Sequence, residues 1–252
     1  MEIRQLGRRQ FVLQSAATFS TALISKACRP EPPVADELTD SDFGDTSLSL
    51  QSISVPPANG QAPTALIVCL HGFGANLHDL APLAPALKLP DYQFLFPDAP
   101  LSHPGIPGGR MWYDLYSQDY RGLTSSRQQL LDWLKSLESS TGIPLSRTIL
   151  SGFSQGGAMT LDVGLTLPFA GLVSLSGYLH STPQPAAGDA LPPVLMVHGR
   201  QDQVVLLGAA QRARDTLTAL GVVVKYQEFD MGHEIVPAEL ELMRSFAIDC
   251  LA

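Results

Sequence analysis

Apolar runs rich in β-branched residues recur along the chain at Leu48–Val55, Ala65–Leu70, Gln93–Phe96, Thr148–Leu150, Leu172–Leu175, Val194–Val197 and Val222–Phe229. Between and after them, apolar residues return at the three-to-four spacing of a helix face over Leu77–Lys88, Leu123–Ser140, Gly156–Leu167, Leu207–Leu220 and Pro237–Cys250. Several of the strand-like runs are apolar at successive rather than alternate positions, which suits a sheet covered on both faces. Strand and helix patterns in alternation predict a mostly parallel, doubly wound sheet flanked by helices, in one α/β domain over residues 47–252. The short span between Val173 and Val194 leaves little room for a cap domain. Residues 29–46 are rich in Pro, Asp and Glu and read as a linker without a core of its own.

Three segments at predicted strand ends carry candidate chemistry. Ser151-Gly152-Phe153-Ser154-Gln155-Gly156-Gly157 holds a G-x-S-x-G pattern between a strand and a helix. A serine on such a tight turn is held out from the backbone, and glycines two residues to either side leave it room. A serine hydroxyl attacks poorly unless a base takes its proton and a carboxylate orients that base. Asp202 lies in the loop after the Val194–Val197 strand, and His233 in the loop after the last strand. Nucleophile Ser154, acid Asp202 and base His233 thus follow three different strands at the same edge of the sheet, the edge where open α/β sheets bind ligands. Asp98, in Phe96-Pro97-Asp98-Ala99-Pro100, is a rival acid and reads as a loop anchor. Among the other histidines, His71 reads as a brace for a neighbouring loop and His198 as a satisfied buried residue. His78, His103 and His180 occupy loops or helix starts, where surface histidines are common.

An acyl-transfer intermediate carries an oxyanion that needs two preorganised donors. The backbone N–H of Gln155, just after the nucleophile, is the first candidate. Phe73 N–H, in Leu70-His71-Gly72-Phe73-Gly74-Ala75-Asn76, is the second. That glycine-rich loop lacks both common phosphate-binding patterns.

Bulk properties narrow the picture further. The chain has 252 residues, 45% hydrophobic and 16% charged, with a formal net charge of −8. Such an acidic balance offers little to neutralise a nucleic-acid backbone, so nucleic-acid partners are not expected. Cys28, Cys69 and Cys250 are too few and too scattered for a disulfide framework or a zinc site, and no metal or cofactor is expected. No apolar run reaches the roughly 18 residues of a membrane span. The amino terminus differs in character: Gly7-Arg8-Arg9-Gln10-Phe11-Val12-Leu13 leads into a mildly apolar stretch, with no acidic residue between Glu2 and Glu31. Residues 1–28 therefore read as a twin-arginine export signal, placing the protein in the periplasm or cell envelope; a short amphipathic helix or tail on a cytoplasmic protein is the alternative. Around Cys28, Ser25 and Lys26 fit a lipid-attachment box poorly.

Taken in order, Leu70–Gly74, Gly109-Arg110-Met111-Trp112-Tyr113-Asp114, Gly152–Gly157, Gly199–Asp202 and Gly232–Ile235 resemble the phospholipase/carboxylesterase family of α/β-hydrolases, which includes the acyl-protein thioesterases. The resemblance implies an α/β-hydrolase fold and a carboxylic ester or thioester hydrolase with a small-molecule or lipid acyl substrate. It implies a triad of Ser154, Asp202 and His233, oxyanion donors at Phe73 and Gln155, and a substrate-binding Trp112 on the acyl side. Plain core packing is the other reading of Trp112. The family's thioesterases are usually intracellular, at odds with an export signal. A non-catalytic binding protein and a serine peptidase on the same fold stay open as alternative functions.

Overall fold

The computed structural model describes residues 50–117, 119–184 and 190–252. The expected export signal and linker, residues 1–28 and 29–46, lie outside the described residues. In chain order the elements are β1 (Ser52–Val55), β2 (Ala65–Leu70), α1 (Leu83–Ala86), β3 (Tyr92–Pro97), β4 (Leu101–Ser102), β5 (Arg110–Met111), α2 (Leu123–Thr141), β6 (Thr148–Phe153), α3 (Gln155–Gly164), β7 (Gly171–Leu175), β8 (Val194–Gly199), α4 (Leu207–Ala219), β9 (Val224–Phe229) and α5 (Pro237–Leu251).

One sheet runs in the order β1-β3-β2-β6-β7-β8-β9. Only β1 is antiparallel to its neighbour; every later pairing is parallel. The apolar runs at successive positions became the central strands: β2, β6, β7 and β8 are buried at every residue. The edge strands β1 and β9 are partly exposed and alternate in burial for most of their length. Both faces are covered, and β7 shows how. Phe246 and Cys250 of α5 fill the space where a side chain on Gly171 would stand, while the next residue, Leu172, packs under Gly164 of α3. Successive strand residues point to opposite faces, so α3 and α5 cover opposite sides of the sheet. This is the α/β-hydrolase architecture anticipated above.

One expected helix is mostly lost. The Leu77–Lys88 periodicity yields only the four residues of α1. Pro82 and Pro85 fall inside the pattern, and a proline within a helix costs about 3 kcal/mol, as much as burying a whole Leu side chain returns. The Leu77 N–H is also taken elsewhere, donated to Asp98 Oδ1 at 2.7 Å. Two short strands went unseen: β4 and β5 pair as an antiparallel hairpin of two residues each, too short to leave a periodic signal. Among the described residues, no helix is long and apolar enough to cross a membrane.

Candidate active site

The turn from β6 into α3 puts Ser154 at φ 55° and ψ −117°, a left-handed conformation that a non-glycine residue adopts only under constraint. The constraint is visible on both sides. A side chain on Gly152 would collide with the backbone of Gly156, and one on Gly156 would collide with the Leu70 carbonyl. Those two glycines let α3 start directly against the ends of β6 and β2. The Ser154 N–H donates to Leu175 O at 2.8 Å, which pins the elbow to β7.

At the end of β8 the chain turns through Gly199, where a side chain would strike the Met231 and Gly232 carbonyls of the loop after β9. Two hydrogen bonds stitch these loops together, from Arg200 N–H to Phe229 O at 2.8 Å and from Gln201 N–H to Met231 O at 3.0 Å. The result brings all three sequence-expected residues together. His233 Nδ1 lies 2.7 Å from Asp202 Oδ2, and His233 Nε2 lies 2.9 Å from Ser154 Oγ. The Asp202 side chain is fully buried, and its second oxygen Oδ1 accepts the N–H groups of Val204 and Val205 at 2.8 and 2.9 Å. Burial alone would raise this carboxyl, but the His233 hydrogen bond and charge and the Val205 and Val204 amides outweigh it, holding Asp202 below the ordinary carboxylate range. An ionised carboxylate only accepts, so Nδ1 carries the imidazole hydrogen and Nε2 is left to accept from the Ser154 hydroxyl.

The loop after β2 lies beside this serine: a side chain on Gly72 would stand 3.4 Å from Ser154 Cβ. Among the described residues, no protein acceptor takes the backbone N–H of Phe73 or of Gln155. His71 is buried at 1% exposure, and burial lowers its pKa, which keeps it neutral. The Ala99 N–H donates to its Nε2 at 3.0 Å, so its hydrogen sits on Nδ1 and goes to Gly72 O at 2.8 Å. That is the loop brace read from position alone. Asp98 is likewise an anchor, accepting the Leu77 N–H and facing Arg110 Nε at 3.5 Å, with no part in the Ser154–His233–Asp202 chain.

Three expectations need correction. Trp112 is 0% exposed, so no face of it is open to a ligand; its indole N–H donates to His71 O at 3.0 Å. The core takes a flat apolar ring readily, provided its one polar group finds a partner. His198 is buried but only half satisfied, since Nε2 bonds Val205 O at 2.7 Å while Nδ1 has no partner among the described residues. His103 is buried against Phe73 and Tyr116, and His180 is packed among Tyr113, Tyr120 and Tyr178 rather than lying on the surface.

Glu239 went unnoticed in the sequence. It sits in the first turn of α5, fully buried, where Oε2 accepts the Val236 N–H at 2.8 Å and so ends the loop that carries His233. Among the described residues, the other oxygen, Oε1, has no partner. Burial pushes its carboxyl up to about 8, against the Val236 amide and helped by the charge of Glu234. A raised carboxyl favours folding fully only below its unfolded value, and the advantage fades as pH rises through about 8. Between those limits the wild type loses at most about 1.4 kcal/mol per pH unit from this group. Thermal midpoints of wild type and Glu239→Gln measured from pH 5 to pH 9 check this. The wild type is expected to lose more stability than the variant, and parallel curves contradict the assignment.

The phospholipase/carboxylesterase family model matches residues 53–251. The chain is similar to acyl-protein thioesterase 1 of Neurospora crassa, 31% identical over 75% of this chain and 87% of that protein. To acyl-protein thioesterase 1 of Gibberella zeae it is 29% identical, over 73% and 89% of the two chains. Among solved structures it resembles esterase PE8, with a TM-score of 0.74 at 32% identity over 81% of this chain and all of that one. Zea mays acyl-protein thioesterase 2 matches with a TM-score of 0.64 at 28% identity, covering 80% and 99% of the two chains. With the family model spanning nearly the whole described fold, the chain belongs to the phospholipase/carboxylesterase family and is a serine hydrolase.

Proposed function

We propose that the protein cleaves carboxylic esters and thioesters through an acyl-enzyme on Ser154, with Asp202 and His233 completing its triad. The observation that carries the reading is the unbroken chain of hydrogen bonds from Ser154 through His233 to Asp202. His233 Nε2 takes the Ser154 proton as Oγ attacks the acyl carbonyl, and the buried Asp202 carboxylate stabilises the resulting imidazolium. The free amides of Phe73 and Gln155 receive the oxyanion. His233 then gives its proton to the departing alcohol or thiol, and activates water for deacylation. Relatives named as thioesterases and esterases support both leaving groups.

A fluorophosphonate probe tests the reading on purified protein. One equivalent of adduct on Ser154, located by mass spectrometry, together with turnover of a series of acyl esters and thioesters, is the expected result. No adduct and no turnover would leave the non-catalytic binding reading in its place.

Export belongs to the proposal on sequence grounds, since Arg8 and Arg9 precede an apolar stretch without acidic interruption. In fractionated cells the wild type is expected outside the cytoplasm and an Arg8→Lys/Arg9→Lys variant inside it. Equal cytoplasmic accumulation of both means that residues 1–28 are no signal.

A further inference from the structure

The two amides proposed for the oxyanion come from segments far apart in sequence, and something must hold them in register. The strand after the Pro104–Gly109 loop does this. Gly74 N–H donates to Arg110 O at 2.8 Å and Arg110 N–H to Ala75 O at 2.7 Å, so the strap starting at Arg110 is tied to one side of Phe73. Two residues on, the Trp112 indole N–H donates to His71 O at 3.0 Å, on the other side of Phe73. The same strap is held from the nucleophile's side by the Gln155 side chain. Gln155 Oε1 accepts the Trp112 backbone N–H, and Gln155 Nε2 donates to Tyr113 O, each at 2.8 Å. Gln155 and Trp112 are both buried, at 1% and 0% exposure, so these contacts have no water to replace them.

We infer that the Gln155 side chain and the Trp112 indole form one brace that sets the distance between the Phe73 and Gln155 amides, making both of them positioning residues for the oxyanion. Gln155 then has two separate roles: its backbone N–H faces the reacting oxygen, and its side chain fixes the opposite donor through residues 110–113. The second role needs an acceptor and a donor side by side on one side chain, which the Gln155 amide supplies, because the site presents one donor and one acceptor. Trp112 is suited to its role because a rigid ring carries its N–H across the interval to the His71 carbonyl. The inference rests on the acyl-enzyme reading above, and deepens it.

The test uses the purified full chain and a short-chain 4-nitrophenyl ester. Gln155→Met keeps the volume and removes both side-chain hydrogen bonds. Trp112→Phe keeps a ring and removes the indole N–H. Each is expected to lower kcat on the order of 10-fold to 100-fold with KM little changed, the mark of donors misplaced by a fraction of an ångström. Because one brace is broken in either case, the double variant should be no worse than the poorer single one. Gln155→Glu gives a readout that packing alone does not move. As a neutral acid it accepts from Trp112 and donates to Tyr113 as the amide does, whereas its ionised form cannot donate. Its kcat relative to wild type should therefore fall about 10-fold or more between pH 6 and pH 9, with the thermal midpoint monitored alongside.

Wild-type kcat in either folded single variant, a loss confined to KM, or fully additive losses in the double variant overturns the brace. Should Gln155→Met fail to fold, Trp112→Phe decides the matter alone. Turnover retained by Ser154→Ala would instead bring down the acyl-enzyme reading itself, which separates the two failures.

Discussion

Replacing Asp202 by asparagine is expected to lower kcat about 10⁴-fold while leaving the fold in place. The structure says why the amide does so much harm. Asp202 Oδ1 is committed to two donors, the N–H groups of Val204 and Val205. Only the oxygen of a replacement amide can occupy that position, so its NH2 group must take the place of Oδ2 and point at His233 Nδ1. A donor there forces the imidazole hydrogen onto Nε2, and a protonated Nε2 cannot accept the Ser154 proton. Asp98→Asn is the matching control. Its carboxylate caps Leu77 and faces Arg110, so the change should leave kcat nearly intact and lower stability by about 1–3 kcal/mol. Both variants are measured for kcat and thermal midpoint. If Asp98→Asn abolishes turnover at an unchanged midpoint while Asp202→Asn stays active, the triad is wrong at its acid.

Ser154→Ala should cost on the order of 10³-fold or more in kcat, with normal folding. Among the described residues, the hydroxyl makes one hydrogen bond, to His233 Nε2, and holds no structural partner besides. Alanine meets the same backbone strain as serine at φ 55°, so the elbow is neither relieved nor worsened. A residual rate is expected from bound substrate and the two proposed backbone donors, neither of which depends on Oγ. Circular dichroism and the thermal midpoint establish folding, and the fluorophosphonate adduct should vanish. A folded variant keeping more than a tenth of wild-type activity would mean that another group attacks the substrate.

Much of this was legible in order and spacing. Strands buried on both faces announce themselves as continuous apolar runs, which is why β2, β7 and β8 were anticipated within two residues of their observed bounds, whereas only the first half of β6, Thr148–Leu150, was apolar enough to be read. A parallel sheet puts the ends of all such strands at one edge. Ser154, Asp202 and His233 were therefore readable from the loops they occupy, since a parallel topology converts chain order into spatial proximity. The glycines at 152 and 156 belong to the same class of information, because a close backbone approach excludes every larger side chain.

Other features had no local signal. Whether Trp112 would meet substrate or core depended on where the strap after Arg110 crosses the loop after β2, a contact 41 residues apart in sequence. The buried carboxyl of Glu239 resembles any acidic residue in a helix's first turn until the packing around it is known. The α1 pattern promised a full helix, yet Pro82, Pro85 and the capture of Leu77 by Asp98 left one turn. The sequence alone determined the layer architecture and the loops that carry the proposed triad, because periodicity and local motifs act over short windows. Tertiary structure alone decided which buried polar atoms find partners, because a hydrogen bond is set by ångström-scale placement of segments that the chain keeps far apart.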